Sequence, residues 1–356
     1  MDRTCSRCPQ PTWSPRSPYC AEHRVEARRA QWRNTPKPRP CNQCGKMIEK
    51  PYKGDQRFHD ECYRVHRAKY VSERNQAPER ERDEQMDRLF SQYESRQSIS
   101  IDDREDGSRL LIVSDLQLPF VDEPLYKAVL QFAGDFRPHD IIWNGDILDA
   151  YEISAFDTNP TRRFGIAQEI AMARDALYDF GKRLAVGGRQ WWVDGNHEER
   201  LRRYIWRNAG ELAEIIPDLD QLLDLDNACA GSVPYGKHIE YLGFVVTHGN
   251  YVSAHSAYTA KRHADRYHSS GVNGHTHRCG SYSYTDGRNR SHTWYEMGCL
   301  CRTDLEYVKG IANWQQGFII GHVRNGALYP QLIRVIEHDD GSRGFMVDGK
   351  HYDILA

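Results

Sequence analysis

The stretch LLIVSDLQ, residues 110–117, decides the fold class because an uninterrupted apolar run ends abruptly in polar residues. Leu110 to Val113 predict a strand that is buried on both faces. Asp115 and Gln117 follow directly, where a strand of an open α/β sheet presents its ligand-binding end. The stretch therefore predicts a core strand together with the first loop of a site.

The same pattern recurs along the chain, separated by helical periodicity. Apolar runs at 141–143 and 190–193 predict two more strands, and patterns at 124–136 and 165–185 predict helices between them. The later predicted elements are a helix at 197–208, helical sequence around 210–223, a strand pair around 238–247, a helix at 256–268 and β-like runs from 281 to 336. Strands that alternate with helices and lead into a β-rich part predict an α/β layered domain.

Five polar clusters lie at or just beyond the ends of the predicted strands. They are SDLQ (114–117), GDILD (145–149), GNHE (195–198), THG (247–249) and GHTH (274–277). Since ligands bind at the carboxyl ends of strands in open α/β sheets, we expect these loops to converge on one crevice. Asp, Asn and His side chains together suit Mn²⁺, Fe or Zn²⁺, and a carboxylate such as Asp146 can bridge two ions that clamp a phosphoryl group.

The ordered series D-x-[H/Q], GDxxD, GNHE, H and GHTH resembles the calcineurin-like metallophosphoesterase superfamily. Residues 109–336 carry the resemblance, and the texture of SDLQLPF and GNHEERLRRY is similar to phage-encoded, DNA-repair-exonuclease-like members. GDxxD alone is a weak signal, whereas the full set in this order is specific. The resemblance implies a metallophosphoesterase β-sandwich flanked by helices, with a dinuclear metal centre that hydrolyses phosphate esters.

Carried over residue by residue, the resemblance implies two metal sites that share Asp146. The implied ligands are Asp115, Asp146 and His277 for one ion, and Asp146, Asn196, His248 and His275 for the other. His197 would act at the leaving-group oxygen as a general acid or stabilise charge there, and Asp149 would orient it. Mn²⁺ is the favoured metal, with Fe or Zn²⁺ as alternatives. For Asp149 alone, a helix cap or turn acid is the competing interpretation.

One position departs from the family pattern. The first motif is usually D-x-H, and here its last residue is Gln117. A Gln carbonyl oxygen can ligate a hard cation, but it is a weaker donor than imidazole to Zn²⁺ or Mn²⁺. Because the other ligand positions are intact, we expect an active enzyme whose first metal is labile. A site that stayed empty would favour a binding protein instead.

Charge is distributed unevenly over the 356 residues. Residues 1–70 hold 16 Lys+Arg and 7 Asp+Glu, residues 71–100 hold 5 and 7, and residues 101–356 hold 27 and 36. A basic arm on an acidic body favours a polyanionic partner, with a solvated charged surface as the alternative. The mean hydropathy of −0.77, with no apolar run of roughly 18 residues and no apolar signal region, favours a cytoplasmic protein that does not enter a membrane. For a phage-encoded protein this is the host cytoplasm.

The basic arm consists of two similar halves. Each half has a C-x-x-C pair, followed by an aromatic residue and a second ligand pair in which Cys and His are exchanged. The predicted ligands of two structural Zn²⁺ ions are Cys5, Cys8, Cys20 and His23 in the first half, and Cys41, Cys44, His59 and Cys62 in the second. His66 competes with His59, and a disulfide pairing competes with metal binding.

Both halves resemble treble-clef or zinc-ribbon modules, in which a knuckle precedes a helix. Arginines at 24–33 and basic residues at 64–69 would line a phosphate backbone, which makes DNA or RNA the expected partner. A solvated helix face or a protein-docking module is the alternative. In the body, Arg200, Arg203 and Lys261 are candidate substrate-binding residues, and pairing with body carboxylates or a helix-surface position is their alternative.

These patterns divide the chain into five segments. They are zinc-binding repeats at 1–40 and 41–70, a charged linker at 71–107 that is helical or disordered, a metallophosphoesterase domain at 108–337 and a C-terminal tail at 338–356 that looks peripheral. The favoured function is a metal-dependent nuclease or nucleic-acid phosphodiesterase whose zinc arm holds the polymer. A phosphatase acting on phosphoprotein, nucleotide or small phosphate esters, and an adaptor with a weakened metal site, are the alternatives.

Overall fold

The computed structural model describes residues 98–154, 164–213, 215–305 and 312–355, with the backbone of two short strands nearer the N-terminus. The chain forms two units, Met1–Arg88 and Leu89–Ala356. In the first unit, strand β1 (Arg39–Pro40) pairs antiparallel with β2 (Met47–Ile48). The predicted zinc ligands lie outside the described residues, namely Cys5, Cys8, Cys20, His23, Cys41, Cys44, His59 and Cys62.

Strands predominate in the described part of the second unit. They are β3 (Ile99–Ile101), β4 (Arg109–Val113), β5 (Asp140–Asn144), β6 (Arg189–Val193), β7 (Gly231–Val233), β8 (Ile239–Tyr241), β9 (Phe244–Thr247), β10 (Gly271–Asn273), β11 (Cys279–Thr285), β12 (Ser291–Met297), β13 (Gly317–Arg324), β14 (Ala327–Arg334), β15 (Ile336–Glu337), β16 (Arg343–Val347) and β17 (Lys350–Ile354).

Helices are interspersed among these strands. They are α1 (Glu123–Phe136), α2 (Ile166–Gly181), α3 (Asn196–Ala209), α4 (Leu219–Leu223), α5 (Leu225–Ala228) and α6 (Tyr258–Tyr267), with 3-10 turns at Tyr151–Ile153 and Gly210–Leu212. Local sequence explains the start of α1, because the Asp122 side chain accepts the N–H of Leu125 and a proline lies in the first turn. Within the described residues, no helix has the length and apolar character that a membrane span requires.

The described strands form two six-stranded sheets and a small third sheet. The first sheet has the order β14-β13-β4-β5-β6-β7, in which β4 to β7 are parallel. The second sheet has the order β11-β12-β10-β9-β8-β3, and its neighbours β9 and β10 are parallel. Strands β15, β16 and β17 form the antiparallel third sheet. Since parallel neighbours end at the same edge, each large sheet brings several strand ends together.

Apolar layers hold these sheets and helices together. Ile112 and Ile142 of the first sheet pack with Val246 and Val272 of the second in one buried cluster. A second cluster fills the space between the first sheet and helices α1 and α2. Helix α6 covers the second sheet through a third cluster that includes Trp294. The predicted α/β class, a sandwich flanked by helices, is confirmed.

The structure corrects the expectation that the C-terminal residues are peripheral. Phe345, Val347, Tyr352 and Ile354 are buried in the same cluster as Phe132 of α1. Strands β16 and β17 place alternate side chains on one face, and this period-2 pattern explains the burial.

Three smaller expectations also need correction. The predicted linker 71–107 includes β3, which pairs in parallel with β8. The helical sequence expected around 210–223 divides into a 3-10 turn and the short helix α4. Strands β7 and β10 were not predicted. Each has three residues, too few to establish a periodicity.

Candidate metal centre

The loops that follow β4, β5, β6, β9 and β10 carry the five polar clusters. Main-chain hydrogen bonds join the first two loops, because the Asp115 N–H donates to Gly145 O at 3.0 Å and the Gln117 N–H donates to Asp146 O at 3.0 Å. The Asn144 side-chain amide donates to Thr247 O at 3.1 Å and so links the two large sheets. The loops therefore converge at the strand ends, as the sequence predicts.

Three buried residues form a first donor set. Donor atoms of Asp115, Asp146 and His277 lie within 4.8 Å of one another. His277 Nε2 is 3.0 Å from Asp115 Oδ1. The Asp115 carboxylate also accepts hydrogen bonds from Ser114 Oγ at 2.6 Å and from the His275 N–H at 3.1 Å. These contacts fix Asp115 between the first and fifth loops.

A second donor set shares Asp146 with the first. Donor atoms of Asp146, His248 and His275 lie within 4.8 Å of one another. His248 Nε2 is 3.1 Å from Asp146 Oδ2, and His248 Nδ1 is 2.8 Å from Asn144 O, to which it donates. That hydrogen bond orients the ring so that Nε2 faces the donor set. Asp146 therefore contributes a donor atom to both sets.

Asn196 begins helix α3 beside these donors. The next residue, His197, donates its N–H to Asp146 Oδ1 at 2.9 Å, which places the start of α3 against the shared carboxylate. Asn196 Oδ1 and His275 Nδ1 are buried and have no hydrogen-bond partner within the described part of the chain. Buried polar atoms are normally paired, so unpaired donor atoms beside carboxylates fit an ion. Oxygen donors of Asp and Asn with imidazole nitrogens suit Mn²⁺, Fe or Zn²⁺.

The backbone is strained where the candidate ligands lie. Left-handed φ angles occur at Asp115 (53°), Gln117 (47°), Asp146 (51°), His275 (68°) and His277 (55°). Residues other than glycine rarely adopt this conformation, and it persists only where surrounding contacts enforce it. Such strain accumulates at sites whose side chains must point in a required direction.

Two glycines give these side chains the space that they need. A Cβ on Gly195 would lie 2.1 Å from Asp146 Oδ1, and a Cβ on Gly145 would lie 2.6 Å from His248 Nδ1. Gly145 also has φ of 80°. The close approach of the loops to Asp146 and His248 therefore requires glycine at both positions.

Glu198 holds the loop that carries Asp146. Its buried carboxylate accepts main-chain N–H groups of Gly195 (2.8 Å), Asp146 (2.9 Å), Ile147 (2.8 Å) and Leu148 (3.0 Å). Glu198 is the last residue of the GNHE motif, but the motif alone does not indicate this role. A carboxylate that accepts several N–H groups makes the second and third loops one rigid unit.

His197 has well-defined partners on both ring nitrogens. His197 Nδ1 lies 2.8 Å from the main-chain oxygen of Asp149 and 3.2 Å from its Oδ1. Arg200 donates to His197 Nε2 at 2.8 Å and to Asp149 O at 2.8 Å. Because a guanidinium group only donates, Nε2 accepts and the ring proton lies on Nδ1. The structure brings His197 and Asp149 together, as expected, and adds Arg200 to the pair.

Charge in the cluster is balanced by histidines. Burial opposes the charged form of Asp146, but His197 and His248 outweigh it and hold the pKa of Asp146 well below its usual range. Burial also opposes the charged form of His248, yet Asp146 and Asp115 raise the pKa of His248 to about 10. Burial and His248 lower the pKa of His275 to about 4. The carboxylates therefore favour positive charge at this position, which divalent ions supply.

Gln117 reaches the first donor set. Its Nε2 lies 3.2 Å from His277 Nε2. A rotation of 180° about the last side-chain bond exchanges the amide oxygen and nitrogen, so the carbonyl oxygen then faces the same point. The other side of the His277 ring contacts Cys301, whose Sγ lies 3.8 Å from Nδ1. Cys301 and the nearby Cys299 are buried thiols.

The remaining candidate residues lie in ion pairs at the surface. Arg203 is half-exposed and pairs with Glu199 at 3.3 Å. Lys261 is exposed, pairs with Asp265 and lies over the Tyr282 ring at 5.6 Å. The structure does not bring Lys261 into either donor set, so its role as a substrate-binding residue stays a prediction.

Two further residues at the site were not found from the sequence. Glu169 on α2 is fully buried, accepts the Ala150 N–H at 2.7 Å and has its pKa raised to about 7 by burial, with Asp149 adding to the shift. Trp314 packs edge to face on His277 with ring centroids 4.3 Å apart. Both come from segments remote from the five motifs, so spacing alone gave no signal for them.

Comparisons with known proteins place these features in context. No family model matches the chain. The Gene 54 protein of Mycobacterium phage L5 is 30% identical over 261 residues, which cover 70% of this chain and 100% of that protein. The Gene 54 protein of Mycobacterium phage D29 has the same identity and coverage.

Two solved structures are similar to the chain at low sequence identity. Vps29 from Chaetomium thermophilum is 11% identical, with a TM-score of 0.39 over 71% of this chain and 100% of that one. The nuclease MPE from Pseudomonas putida is 14% identical, with a TM-score of 0.28 over 62% of this chain and 87% of that one.

Proposed function

This chain belongs to the family of the Gene 54 proteins of mycobacteriophages L5 and D29, and from the geometry of its site we propose that it is a metal-dependent phosphoesterase that hydrolyses phosphodiester bonds in nucleic acid. The observation that carries the proposal is the pair of buried donor sets that share Asp146. A single carboxylate between two sets of N and O donors suits a pair of divalent ions.

The chain's own residues would hold two ions at this position. Asp115 and His277 complete one set, with Gln117 at its edge, and His248 and His275 complete the other, to which Asn196 Oδ1, an unpaired buried atom, would add a ligand. Bound divalent ions would supply Lewis acidity and lower the pKa of a water molecule for attack on phosphorus. Glu198 keeps Asp146 in place through its four main-chain hydrogen bonds.

Departure of the ester oxygen is assigned to His197 and Arg200. His197 Nε2 lies 3.6 Å from Asp146 Oδ2, so this nitrogen faces the donor sets. Arg200 adds a permanent positive charge beside it and also fixes Asp149. The Arg200 guanidinium would stabilise negative charge as it develops on the departing oxygen, and His197, whose Nε2 accepts from Arg200, would hold that guanidinium in place. Asp149 keeps the ring oriented through Nδ1.

We propose that two structural Zn²⁺ ions stabilise the basic arm, residues 1–70, and that the arm binds the polymer. In the sequence, Cys41 and Cys44 lie between the paired strands β1 and β2. A C-x-x-C pair that falls, in the sequence, between two antiparallel strands is typical of a zinc knuckle. The excess of Lys and Arg over Asp and Glu in residues 1–70 would neutralise backbone phosphates and make binding depend on salt.

The test is Mn²⁺-dependent cleavage of labelled single- and double-stranded DNA and RNA by the full chain. Asp146→Ala and His197→Ala are the test variants, and His351→Ala on the remote strand β17 is the matched control. Cleavage that is lost in both test variants and kept in the control supports the proposal. Absence of cleavage, or cleavage that survives both substitutions, overturns it.

Small substrates then distinguish the alternative functions. Turnover of a phosphate monoester without turnover of any diester would indicate a phosphatase. An absence of turnover on every ester would indicate an adaptor, which the presence of Gln117 in the first donor set favours. Cleavage of nucleic acid without turnover of any small ester would support the proposed nuclease function.

A further inference from the structure

Helix α6 is connected directly to the metal centre through the loop 249–257. The loop begins one residue after His248 and is tied down at several points. Arg278, which follows His277, donates to Ser253 O at 2.6 Å. Ser256 Oγ donates to Cys279 O at 3.0 Å. The loop that leads into α6 therefore starts at one candidate ligand and is anchored beside another.

Residues 250–280 form a basic region within the acidic residues 101–356. Residues 101–356 have an excess of Asp and Glu over Lys and Arg. Residues 250–280 reverse this balance, since Asp265 is their one acidic residue. Their basic residues are Lys261, Arg262, Arg266 and Arg278. A local cationic region beside a site that suits phosphate esters attracts a polyanion.

Aromatic rings alternate with these cations. The Arg262 guanidinium lies 4.0 Å from the centre of the Tyr251 ring, and Arg266 donates to Tyr251 Oη at 3.1 Å. Tyr258 is 61% exposed at the start of α6 and contacts His255, with ring centroids 5.6 Å apart. We call Tyr251, Tyr258, Lys261, Arg262 and Arg266 the α6 face.

The α6 face has a rigid support. On the inner side of the helix, His263 stacks on Trp294 with ring centroids 5.3 Å apart and planes inclined by 8°. Tyr267 also stacks on Trp294, at 5.2 Å. Burial lowers the pKa of His263 to about 3, so the ring stays neutral within this stack. A fixed helix reduces the entropy lost when a ligand binds to its outer side.

From these observations we infer that the α6 face binds single-stranded nucleic acid and directs it along the loop 249–257 into the metal centre. Sequence-independent binding of single strands combines cations along the backbone with aromatic rings on which bases stack, and the α6 face offers both. A base must be unstacked to use the Tyr258 ring, which favours a single strand over a duplex. The inference rests on the proposed function for the meaning of the site, but binding can be measured without turnover.

The experiment measures binding of fluorescent (dT)20 to the full chain without added divalent metal, across a salt series. The test variant is Arg262→Ala/Arg266→Ala. The matched control, Arg174→Ala/Lys182→Ala, removes one exposed cation from α2 and one from the residue that follows it, and α2 packs on the other large sheet. Thermal unfolding midpoints show whether each variant is folded. A third variant, Tyr258→Ala, removes an exposed ring and no charge.

We expect the test variant to bind (dT)20 about 10-fold more weakly, with a salt slope shallower by about 1.4, because each neutralised phosphate of a single strand contributes about 0.7. Tyr258→Ala should weaken binding several-fold without changing the slope, and the control should bind as the wild type. A 20-base-pair duplex should be less sensitive to Tyr258→Ala than the single strand.

Photocrosslinking shows whether the bound strand contacts the α6 face or residues 1–70. An oligonucleotide that contains 5-iodouridine should crosslink to peptides within 250–268. Unchanged (dT)20 affinity in both the test variant and Tyr258→Ala, with crosslinks only within residues 1–70, would overturn the inference. The proposed function fails by a different result, namely no Mn²⁺-dependent turnover of any diester by the wild type, and that result leaves the binding data interpretable.

Discussion

The two donor sets around Asp146, here the ligand cluster, and the Asp140 cluster of Asp140, Arg104, Trp191 and Tyr241 lie at opposite ends of strand β5. They differ in how fully their polar atoms are hydrogen-bonded. The Asp140 carboxylate is fully buried and accepts from Arg104, from Trp191 Nε1 at 2.8 Å and from Tyr241 Oη at 2.9 Å. At the other end, Asn196 Oδ1 and His275 Nδ1 have no hydrogen-bond partner among the described residues.

Backbone conformation separates the two clusters in the same way. Five candidate ligand positions have left-handed φ angles, whereas none of Arg104, Asp140, Trp191 and Tyr241 has a positive φ angle. The Asp140 carboxylate has several hydrogen-bond partners, whereas the ligand positions combine unpaired donor atoms with a strained backbone. Burial and charge alone therefore do not distinguish a ligand site from a structural network.

The largest expected effect is the loss of turnover in Asp146→Asn. Because Asp146 belongs to both donor sets, the substitution removes a negative charge from each, and we expect kcat to fall by about 10⁴-fold. Steady-state turnover of a small diester with Mn²⁺ measures this. Asp175→Asn, on the exposed side of α2, is the matched control. A fall in kcat of less than 10-fold would show that turnover does not depend on the Asp146 carboxylate.

The Asp140 cluster should respond in stability instead. Asp140→Asn leaves Arg104 and Arg189 without their buried anion, and we expect the free energy of unfolding to fall by about 4 kcal/mol. Urea denaturation measures it, with Asp135→Asn as a control, since the exposed pair of Asp135 and Lys350 contributes little. Turnover per folded molecule should stay at the wild-type level. A stable but inactive Asp140→Asn protein would contradict this assignment, because Asp140 would then be needed for turnover and not for stability.

The protonation of Glu169 tests whether this buried residue belongs with the fully paired polar groups or with the unpaired ones. Its folded pKa of about 7 exceeds the ordinary value of 4.5, so the native state retains a proton that the unfolded chain releases between these pH values. Stability should therefore fall as pH rises through this window, by about 3 kcal/mol in total.

Glu169→Gln cannot ionise, so its stability should lack this fall. Measured as free energies of unfolding at pH 5, 6, 7 and 8, the variant should gain on the wild type as the pH increases. Parallel curves for the two proteins would contradict the raised pKa of Glu169 and assign the residue to the satisfied kind of cluster.

The smallest expected effect belongs to Gln117→His. Imidazole is a better donor than a neutral amide to Mn²⁺ and Zn²⁺, so the Mn²⁺ concentration for half-maximal turnover should fall about 10-fold. Gln331→His on the exposed side of β14 is the control. Unchanged metal dependence in Gln117→His would show that this side chain does not contribute to the first donor set.

The sequence predicts the site well because the site is made of loops with a fixed local chemistry. Asp115, Asp146, His248, His275 and His277 come together as the five motifs indicate. Each motif is a strand end followed by ligand-type residues, and both signals are local. Their assignment as metal ligands stays a prediction until an ion is observed there.

The sequence does not predict the Asp140 cluster, because its members share no motif. Arg104, Asp140, Trp191 and Tyr241 come from four separate segments and meet only when both large sheets have formed. The C-terminal strands were missed for another reason. Charged residues between Phe345 and Tyr352 mask the alternation of apolar residues that the structure buries.

The most direct test of the account is anomalous scattering at the manganese edge from crystals of the full chain grown with Mn²⁺. We expect two peaks roughly 3.5–4 Å apart beside Asp146, one contacted by Asp115 and His277 and the other by Asn196, His248 and His275. A map with no peak beside Asp146, or with manganese bound only elsewhere in the molecule, would contradict the central claim.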